Sequence, residues 1–358
     1  MMELLSPAGS REALIAAVQN GADAVYFGGS MFNARRFAAN FDDHGLISAI
    51  DYCHERGVKV NITLNTLLLD KEISQALKYA EFLCRTGADA AIVQDMGLVS
   101  LIRKNIPELP LHASTQMGIH ELNGAREAEK LGLEQVVLSR EVPLREIEYI
   151  HNNTPIALET FAHGALCMSV SGQCYLSSVL GERSGNRGLC AQPCRLPFSS
   201  GRKGDSGYAL SLKDLSLAHR GQELVQLGVD SFKIEGRMKR PEYVAAAVSQ
   251  FKQALEGQQA DMDLMAAVFS RSGFTDGYWL GKKGKAMFGT RPENVPEPKE
   301  LFARARETYE NGKENRKIPV NLRLTVRRGE PVRLSGACAV RNGVTIALAT
   351  GDAPEEVR

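Results

Sequence analysis

A glycine followed by an aliphatic residue, a polar residue and then a short apolar run recurs along the first two thirds of the chain. The pattern begins at Gly21, Gly57, Gly87, Gly132 and Gly228. Glycine tolerates the left-handed conformation that ends a helix, and the aliphatic and β-branched residues after it favour a buried strand. Before the glycines, apolar residues fall at helical spacing, as at Ala13, Leu14 and Ala17. Each occurrence therefore predicts a junction between a helix and a strand.

Eight strands, nearly all separated by helical stretches, are predicted from this pattern. Their ranges are 3–8, 24–29, 59–66, 90–95, 110–115, 135–140, 156–162 and 231–236. Such alternation predicts a parallel sheet, and eight units over roughly 250 residues is the size of a closed (β/α)8 barrel. An open doubly wound sheet is the alternative, but no G-x-G-x-x-G motif follows the first strand. We therefore predict an α/β fold built on a TIM-like barrel.

The pattern changes after residue 290. Residues 291–317 predict a proline-rich linker and a short charged helix. From Val320 apolar residues alternate with polar ones, as in a half-buried strand, and Asn342 with Gly343 predicts a tight hairpin turn. We predict a barrel domain over 1–290 and a β-rich segment over 318–358, which packs on the barrel or begins a further domain.

The composition and charge exclude several classes of protein. The chain has 358 residues, 44% of them hydrophobic, with 43 Lys and Arg against 42 Asp and Glu. This balance argues against disorder and against a polycationic nucleic-acid-binding chain. No apolar run approaches the roughly 18 residues of a membrane span, and the first residues lack the basic start of a signal peptide. We therefore expect a globular, cytoplasmic protein with no membrane partner.

Four of the seven cysteines fall close together, after the seventh predicted strand. They are Cys167, Cys174, Cys190 and Cys194. The surrounding segment, 164–208, is about 45 residues long, and a loop of that length is usually a functional lid or is organised by what it binds. Four thiolates without a histidine suit zinc or an iron–sulfur cluster, and the spacing matches no common motif of either. The sequence alone leaves both metals open, with unliganded thiols as the alternative.

Polar residues at the carboxyl ends of the predicted strands are candidates for chemistry, because these ends meet at one face of a barrel. In the eighth strand, Phe232 and Ile234 would face the helices, so Lys233 and Glu235 would point into the barrel. A buried lysine beside a carboxylate forms either an active site or a structural ion pair. The predicted catalytic residues are Glu159, His163, Lys233, Glu235 and Arg237, with Gln116 and Arg140 as predicted substrate contacts.

The cysteine segment and the eighth strand are basic. Residues 181–240 contain eleven Lys and Arg against six acidic residues, a local charge of +5 in a chain of +1. Positive charge around one mouth would attract an anionic substrate, such as RNA phosphates or a small polycarboxylate. We predict Arg183, Arg187 and Arg195 as substrate contacts, with a solvated surface as the alternative.

Several segments resemble the collagenase-like peptidases of unknown type, family thirty-two. They are Glu3–Ala8, Ala24–Gly29, Val93–Gly97, Leu111–Gln116, Glu159–Ser177 and Ser231–Arg237. The likeness extends over residues 3–290. Within the family, the segment from Arg183 to Pro197 looks most like the branch that hydroxylates 23S ribosomal RNA to 5-hydroxycytidine.

The resemblance implies a cofactor and an activity. It implies a 4Fe–4S cluster on the four clustered cysteines, with prephenate, a dicarboxylate, as co-substrate in place of molecular oxygen. The implied reaction is C5 hydroxylation of a pyrimidine in rRNA or tRNA, with RNA as partner and with undefined electron or assembly partners. The alternatives are a collagenase-like peptidase, a hydroxylase of quinone precursors and a zinc-stabilised binding protein. Neither H-E-x-x-H nor G-x-S-x-G is present to support the peptidase.

Overall fold

The structure of the protein is a computed structural model, which describes residues 2–35, 38–199, 201, 206–291, 297–338 and 345–351. The barrel strands are β1 (Glu3–Pro7), β2 (Ala24–Phe27), β3 (Lys59–Leu64), β4 (Ala90–Val93), β5 (Leu111–Ala113), β6 (Gln135–Val137), β7 (Ala157–Gly164) and β9 (Ser231–Ile234). Two short strands, β8 (Asp214–Ser216) and β10 (Phe274–Thr275), lie beside them.

Helices surround the barrel and follow most of its strands. They are α1 (Arg11–Gln19), α2 (Asp43–His54), α3 (Asp70–Arg85), α4 (Met96–Asn105), α5 (Leu122–Lys130), α6 (Leu144–His151), α7 (Leu176–Gly181), α8 (Gly221–Leu227), α9 (Pro241–Leu255), α10 (Met262–Phe269) and α11 (Lys299–Glu310). In the described part of the chain, no helix combines the length and the apolarity needed to cross a membrane.

The barrel is closed by β9. Strands β1 to β7 pair in parallel in chain order, and β9 pairs in parallel with both β7 and β1. The register places Ser231 of β9 opposite both Glu3 of β1 and Glu159 of β7. This confirms the predicted TIM-like barrel, with β9 as the predicted eighth strand. The open doubly wound sheet is excluded, because such a sheet would leave two edges unpaired.

The recurring glycines end helices as the sequence predicts. Gly57 after α2 and Gly228 after α8 have φ angles of 67° and 72°. In this left-handed region the backbone of a residue with a side chain is strained by about 1–2 kcal/mol. At the other end of the helices, the side chains of Ser10 and Asp95 accept hydrogen bonds from the first turns of α1 and α4. The sequence therefore sets both ends of these helices locally.

The main core lies between the barrel strands and the surrounding helices. Outward-facing side chains such as Phe27, Phe232 and Ile234 are fully buried there. Each contributes roughly 1.5–3 kcal/mol relative to an exposed position. Inside the barrel, Glu159 and Lys233 are also buried, so the interior is partly polar. The two faces of β9 thus have the orientation that the sequence predicts.

Strands β8 and β10 are two elements that the sequence analysis missed. β8 pairs antiparallel with the end of β7, with His163 opposite Ser216, and β10 pairs with β8. Their two or three residues are too short to show a recognisable period. Their position matters, because β8 returns the chain from the cysteine segment to the barrel strand from which that segment leaves.

The chain after the barrel begins with α11, which buries Phe302 and Tyr309 and contacts α1 and α9. Beyond α11, the guanidinium of Arg56 donates two hydrogen bonds to the Glu314 carboxylate, at 2.9 and 2.7 Å. These contacts attach the segment to the outside of the barrel.

A small antiparallel sheet ends the described chain, formed by β11 (Val320–Arg327), β12 (Glu330–Cys338) and β13 (Thr345–Gly351). Its apolar positions alternate as predicted, but Leu322 and Leu324 are 63% exposed rather than half-buried. The predicted turn at Asn342 and Gly343 lies outside the described residues. The division into a barrel domain, a linker and a β-rich segment stays a prediction.

Candidate active site

A cavity of about 400 Å³ opens at the carboxyl ends of the barrel strands. This volume lies within the range of roughly 300–1,000 Å³ that is typical of ligand sites. Three kinds of side chain line it. The charged wall contains Arg35, Arg140, Lys233, Glu235 and Arg237; the thiol wall contains Cys167, Cys174, Cys190 and Cys194; the neutral polar wall contains Asn65, Ser114, Thr115 and Gln116.

Lys233 points into the barrel from β9, where its ammonium group meets a carboxylate of β7. Its Nζ donates a 2.7 Å hydrogen bond to Oε1 of Glu159, and both side chains are buried. Glu159 also accepts a 2.8 Å hydrogen bond from Gln135. The sequence interpretation paired Lys233 with Glu235, and the structure corrects this. The register of β7 against β9 brings Glu159 to Lys233, whereas Glu235 lies beyond the end of β9.

Glu235 is held by two arginines instead. Arg35 donates to one carboxylate oxygen at 3.1 Å and Arg140 to the other at 2.9 Å. Burial alone would raise the pKa of Glu235, but Arg35, Arg140 and Arg237 outweigh it and lower the pKa to about 2. Glu235 is therefore an ionised carboxylate that orients guanidinium groups at the cavity wall.

Arg237 is a buried guanidinium without a carboxylate in contact. Its Nη1 donates a 2.6 Å hydrogen bond to the Thr63 hydroxyl, the one hydrogen bond of its side chain to the described residues. Burial, with Arg35 nearby, lowers its pKa to about 10. At neutral pH it is therefore charged, and most of its donors remain available to a ligand.

The interior of the barrel carries more positive than negative charge. In the charged wall, counted together with Glu159, the partner of Lys233, four cations face two carboxylates. These are Arg35, Arg140, Lys233 and Arg237 against Glu159 and Glu235. The excess of two positive charges in a water-poor site favours a ligand with negative charge.

His163 does not reach the cavity. The register of β7 against β9 shifts between Phe161 and His163, and this bulge places the imidazole toward the helices. Its ring packs against Tyr243 and Phe251, with centroids 5.7 and 5.6 Å away. Burial lowers its pKa to about 3. The predicted catalytic role of His163 is therefore replaced by a structural one.

The four clustered cysteines line one side of the cavity. The backbone N–H of Leu176 donates to Cys174 Sγ at 3.4 Å, and that of Gln192 donates to Cys190 Sγ at 3.3 Å. Such N–H donors stabilise ligating thiolates. Within the described ranges, no three His, Cys, Asp or Glu side chains lie close enough together to hold a metal ion. The donor set, four thiols facing one cavity, nevertheless fits a thiolate-bound metal or cluster.

The basic residues of the cysteine segment are mostly engaged within the protein. Arg187 forms two hydrogen bonds with the Glu72 carboxylate of α3, at 3.0 and 2.7 Å. Arg195 is buried and donates to Ser211 Oγ at 3.0 Å and to the backbone oxygens of Leu166 and Leu212. The structure therefore corrects the prediction that Arg187 and Arg195 meet phosphates, since both hold the cysteine segment in place.

Arg183 donates a 3.1 Å hydrogen bond to the backbone oxygen of Leu189 within the same segment. A different cation stands at the cavity mouth. Lys239 is exposed, lines the cavity and places its amine 4.3 Å from the centre of the Phe269 ring. It has no ion pair within the described ranges. Lys239 is therefore better placed than Arg187 to meet an anionic substrate.

A family model describes most of the barrel. The model of peptidase family U32 matches residues 9–288, more than half of the chain. The chain belongs to peptidase family U32. This confirms the resemblance seen in the sequence motifs. The matched range includes the cavity and the whole cysteine segment.

Curated relatives of this U32 chain have names for more than one activity. It is 43% identical over 264 residues to the 23S rRNA 5-hydroxycytidine C2501 synthase of Escherichia coli, a match that covers 71% of this chain and 39% of that protein. It is 35% identical over 311 residues to a collagenase of Porphyromonas gingivalis, covering 78% of this chain and 74% of that one. It is 33% identical over 270 residues to tRNA hydroxylation protein P1 of Bacillus subtilis, a match that covers 72% of this chain and 64% of that protein.

Arg35 is a cavity residue that the sequence of this U32 chain does not reveal. This residue lies in the loop between β2 and α2, not at a strand end, and is 200 positions from its partner Glu235. Nothing in its local sequence indicates that contact. Gln116 and Arg140, by contrast, line the cavity at the carboxyl ends of β5 and β6, where the analysis placed them.

Proposed function

We propose that this U32 chain is an iron–sulfur-dependent RNA hydroxylase that adds a hydroxyl group at C5 of a pyrimidine in rRNA or tRNA. The observation that carries the proposal is the cavity itself, which joins four thiols to a wall with excess positive charge. The names of the Escherichia coli and Bacillus subtilis relatives support RNA hydroxylation. Because such RNAs are cytoplasmic, we also propose a cytoplasmic location.

For the cofactor, we propose a 4Fe–4S cluster held by Cys167, Cys174, Cys190 and Cys194. Converting C–H to C–OH removes two electrons from the base; the co-substrate, which takes the place of molecular oxygen, would be the net oxidant, and a bound cluster would supply electron-transfer chemistry. Zinc, the other metal that four thiolates suit, has no redox chemistry. The proposed reaction therefore favours iron over zinc.

For the co-substrate, we propose prephenate, whose two carboxylates match the excess of two positive charges. Arg237 would bind one carboxylate, since its planar fork can donate two parallel hydrogen bonds. Lys233, another of the predicted catalytic residues, is already paired with Glu159. Arg35 and Arg140, oriented by Glu235, take its place at the wall.

The peptidase alternative has less support from the site, although one relative is named a collagenase. A cysteine or serine peptidase needs a base beside its nucleophile. None of the described residues that line the cavity is a histidine, and His163 faces the helices. The geometry therefore favours the hydroxylase.

Two measurements test the proposal. Ribosomal and transfer RNA from a strain lacking the gene should show one nucleoside that is 16 Da lighter by mass spectrometry, and the wild-type gene should restore it. Protein purified without oxygen should contain about four irons per chain. Cys174→Ser should lose most of the iron, whereas Cys84→Ser, outside the segment, should keep it. An unchanged nucleoside profile, or a colourless protein with one zinc, would reject the proposed function.

A further inference from the structure

The neutral wall of the cavity is built from residues that follow two barrel strands, β3 and β5, which lie on either side of β4. Asn65 follows β3 and Ser114 follows β5. Asn65 Nδ2 donates to Ser114 Oγ at 3.2 Å, and the backbone N–H of Gln116 donates to the same oxygen at 3.2 Å. Asn65 Oδ1 is fixed in turn by the N–H of Ala34 at 3.1 Å. The wall is therefore preorganised and uncharged.

Gln116 has an unused acceptor at this wall. The residue is 9% exposed, and its Oε1 is buried without a hydrogen-bond partner in the described part of the chain. Gln94, which follows β4, also has an unpartnered, buried Oε1, while its Nε2 donates to the backbone oxygen of Gln116 at 3.4 Å. Buried acceptors without a donor are unfavourable and rare in folded proteins. Of these two glutamines only Gln116 lines the cavity, and its unpartnered Oε1 indicates a ligand that brings an N–H donor.

Two aromatic rings near this wall each have a cation against them. The Lys233 ammonium lies 4.2 Å from the centre of the Tyr26 ring, and the Arg140 guanidinium lies 3.8 Å from that of Phe161. The polar side chains of the neutral wall, by contrast, offer hydrogen bonds to the edge of a ligand.

We propose that this wall is the nucleobase subsite, in which Gln116 reads the Watson–Crick edge of the pyrimidine through its Oε1. The inference rests on the proposed function and adds to it the place of the base. A base that is rotated out of an RNA strand is commonly read by hydrogen bonds to this edge. The amide of glutamine offers one acceptor and one donor, which match the N4–H and N3 of cytosine or the N3–H and a carbonyl of uracil. A charged co-substrate would then occupy the opposite wall.

The test uses the full chain with its iron, and ribosomal RNA and bulk transfer RNA from a strain lacking the gene. The variants are Gln116→Ala, Gln116→Glu, which keeps an acceptor oxygen, and Gln226→Ala, an exposed glutamine of α8 as matched control. The readouts are the rate of formation of the +16 Da nucleoside, the RNA dissociation constant from filter binding, and iron content.

We expect Gln116→Ala to slow hydroxylation at least tenfold while RNA affinity stays within threefold, because phosphate contacts dominate affinity. Gln116→Glu should fall between Gln116→Ala and wild type, and the control should match wild type. Equal rates for Gln116→Ala and wild type, with iron retained, would overturn the subsite but leave the proposed function intact. A wild-type protein that hydroxylates neither RNA would overturn both. If the protein cleaved a collagen peptide and Gln116→Ala abolished that cleavage, the wall would bind a peptide amide. That result would overturn the proposed nucleobase subsite.

Discussion

Arg237 combines burial, charge and a single hydroxyl partner, Thr63, at the cavity wall. A lysine at this position would keep the charge but lose the planar pair of donors. We expect Arg237→Lys to fold normally and keep its iron, yet to lose at least tenfold in hydroxylation rate. Melting temperature, iron content and the +16 Da product check this. Arg304→Lys, at an exposed site on α11, is the control and should behave as wild type.

A variant that keeps full activity with intact iron would contradict the proposed carboxylate contact. Loss of folding would instead assign Arg237 a structural role, because a buried cation without well-placed hydrogen-bond partners destabilises the folded protein.

His163 makes the stability of the protein depend on pH. The unfolded imidazole takes up a proton near pH 6.5, whereas burial lowers the folded pKa to about 3. The stabilisation is complete above about pH 6.5 and is lost as the pH falls toward 3, by up to about 1.4 kcal/mol per pH unit. His112, with a pKa lowered to about 3 by burial and by Lys233, contributes in the same direction. His163→Leu should therefore reduce the slope of unfolding free energy against pH between about pH 6 and 4.

Urea unfolding at several pH values measures this slope, and the catalytic rate provides a second readout. Since His163 faces the helices, the variant should retain hydroxylation activity. An unchanged pH slope would show that the imidazole is already protonated in the folded protein.

At the scale of elements, the cysteine segment depends on a few long side chains that bind it to the barrel. Arg195 donates hydrogen bonds to Leu166, near the start of the segment, and to Ser211 and Leu212, just beyond its end, all within the protein interior. Arg187 bonds to Glu72 nearer the surface. Removing a buried network of charge-assisted hydrogen bonds lowers the free energy of unfolding more than removing a surface ion pair. A surface ion pair contributes about 0–1 kcal/mol to that free energy.

We therefore expect Arg195→Ala to lose most of the bound iron and to make residues 164–212 susceptible to protease. Arg187→Ala, the matched variant, should keep at least half of its iron. Metal analysis and limited proteolysis followed by mass spectrometry give both results. Equal iron retention in the two variants would contradict the role assigned to Arg195.

For the whole molecule, RNA affinity should depend on cations that remain free at the mouth of the barrel. Lys239 is exposed there, whereas Arg187 and Arg195 are engaged. Each phosphate that a cation neutralises contributes about 0.7–0.9 to the slope of log affinity against log salt. Lys239→Met should reduce the magnitude of that slope by about 0.7–0.9, the contribution of one phosphate. Lys104→Met, on the last turn of α4 at the opposite end of the barrel, should leave it unchanged. Filter binding over a salt series is the measurement, and a slope unaffected by Lys239→Met would rule out this contact.

The sequence by itself determined the barrel and the grouping of the cysteines. Both are encoded locally: glycines end helices, apolar runs form strands, and the period of two turns Lys233 inward and Phe232 outward on β9. The tightly spaced cysteines are likewise visible without knowledge of the fold.

Only the tertiary structure decided which side chains meet. Lys233 pairs with Glu159 because of the register between two strands that lie 74 residues apart. His163 turns outward because of a bulge, which the period of two does not anticipate. Arg35 reaches Glu235 across 200 residues of sequence. Local patterns specify the face on which a side chain lies. Its partner depends on strand register and loop path, which are set only when distant segments pack together.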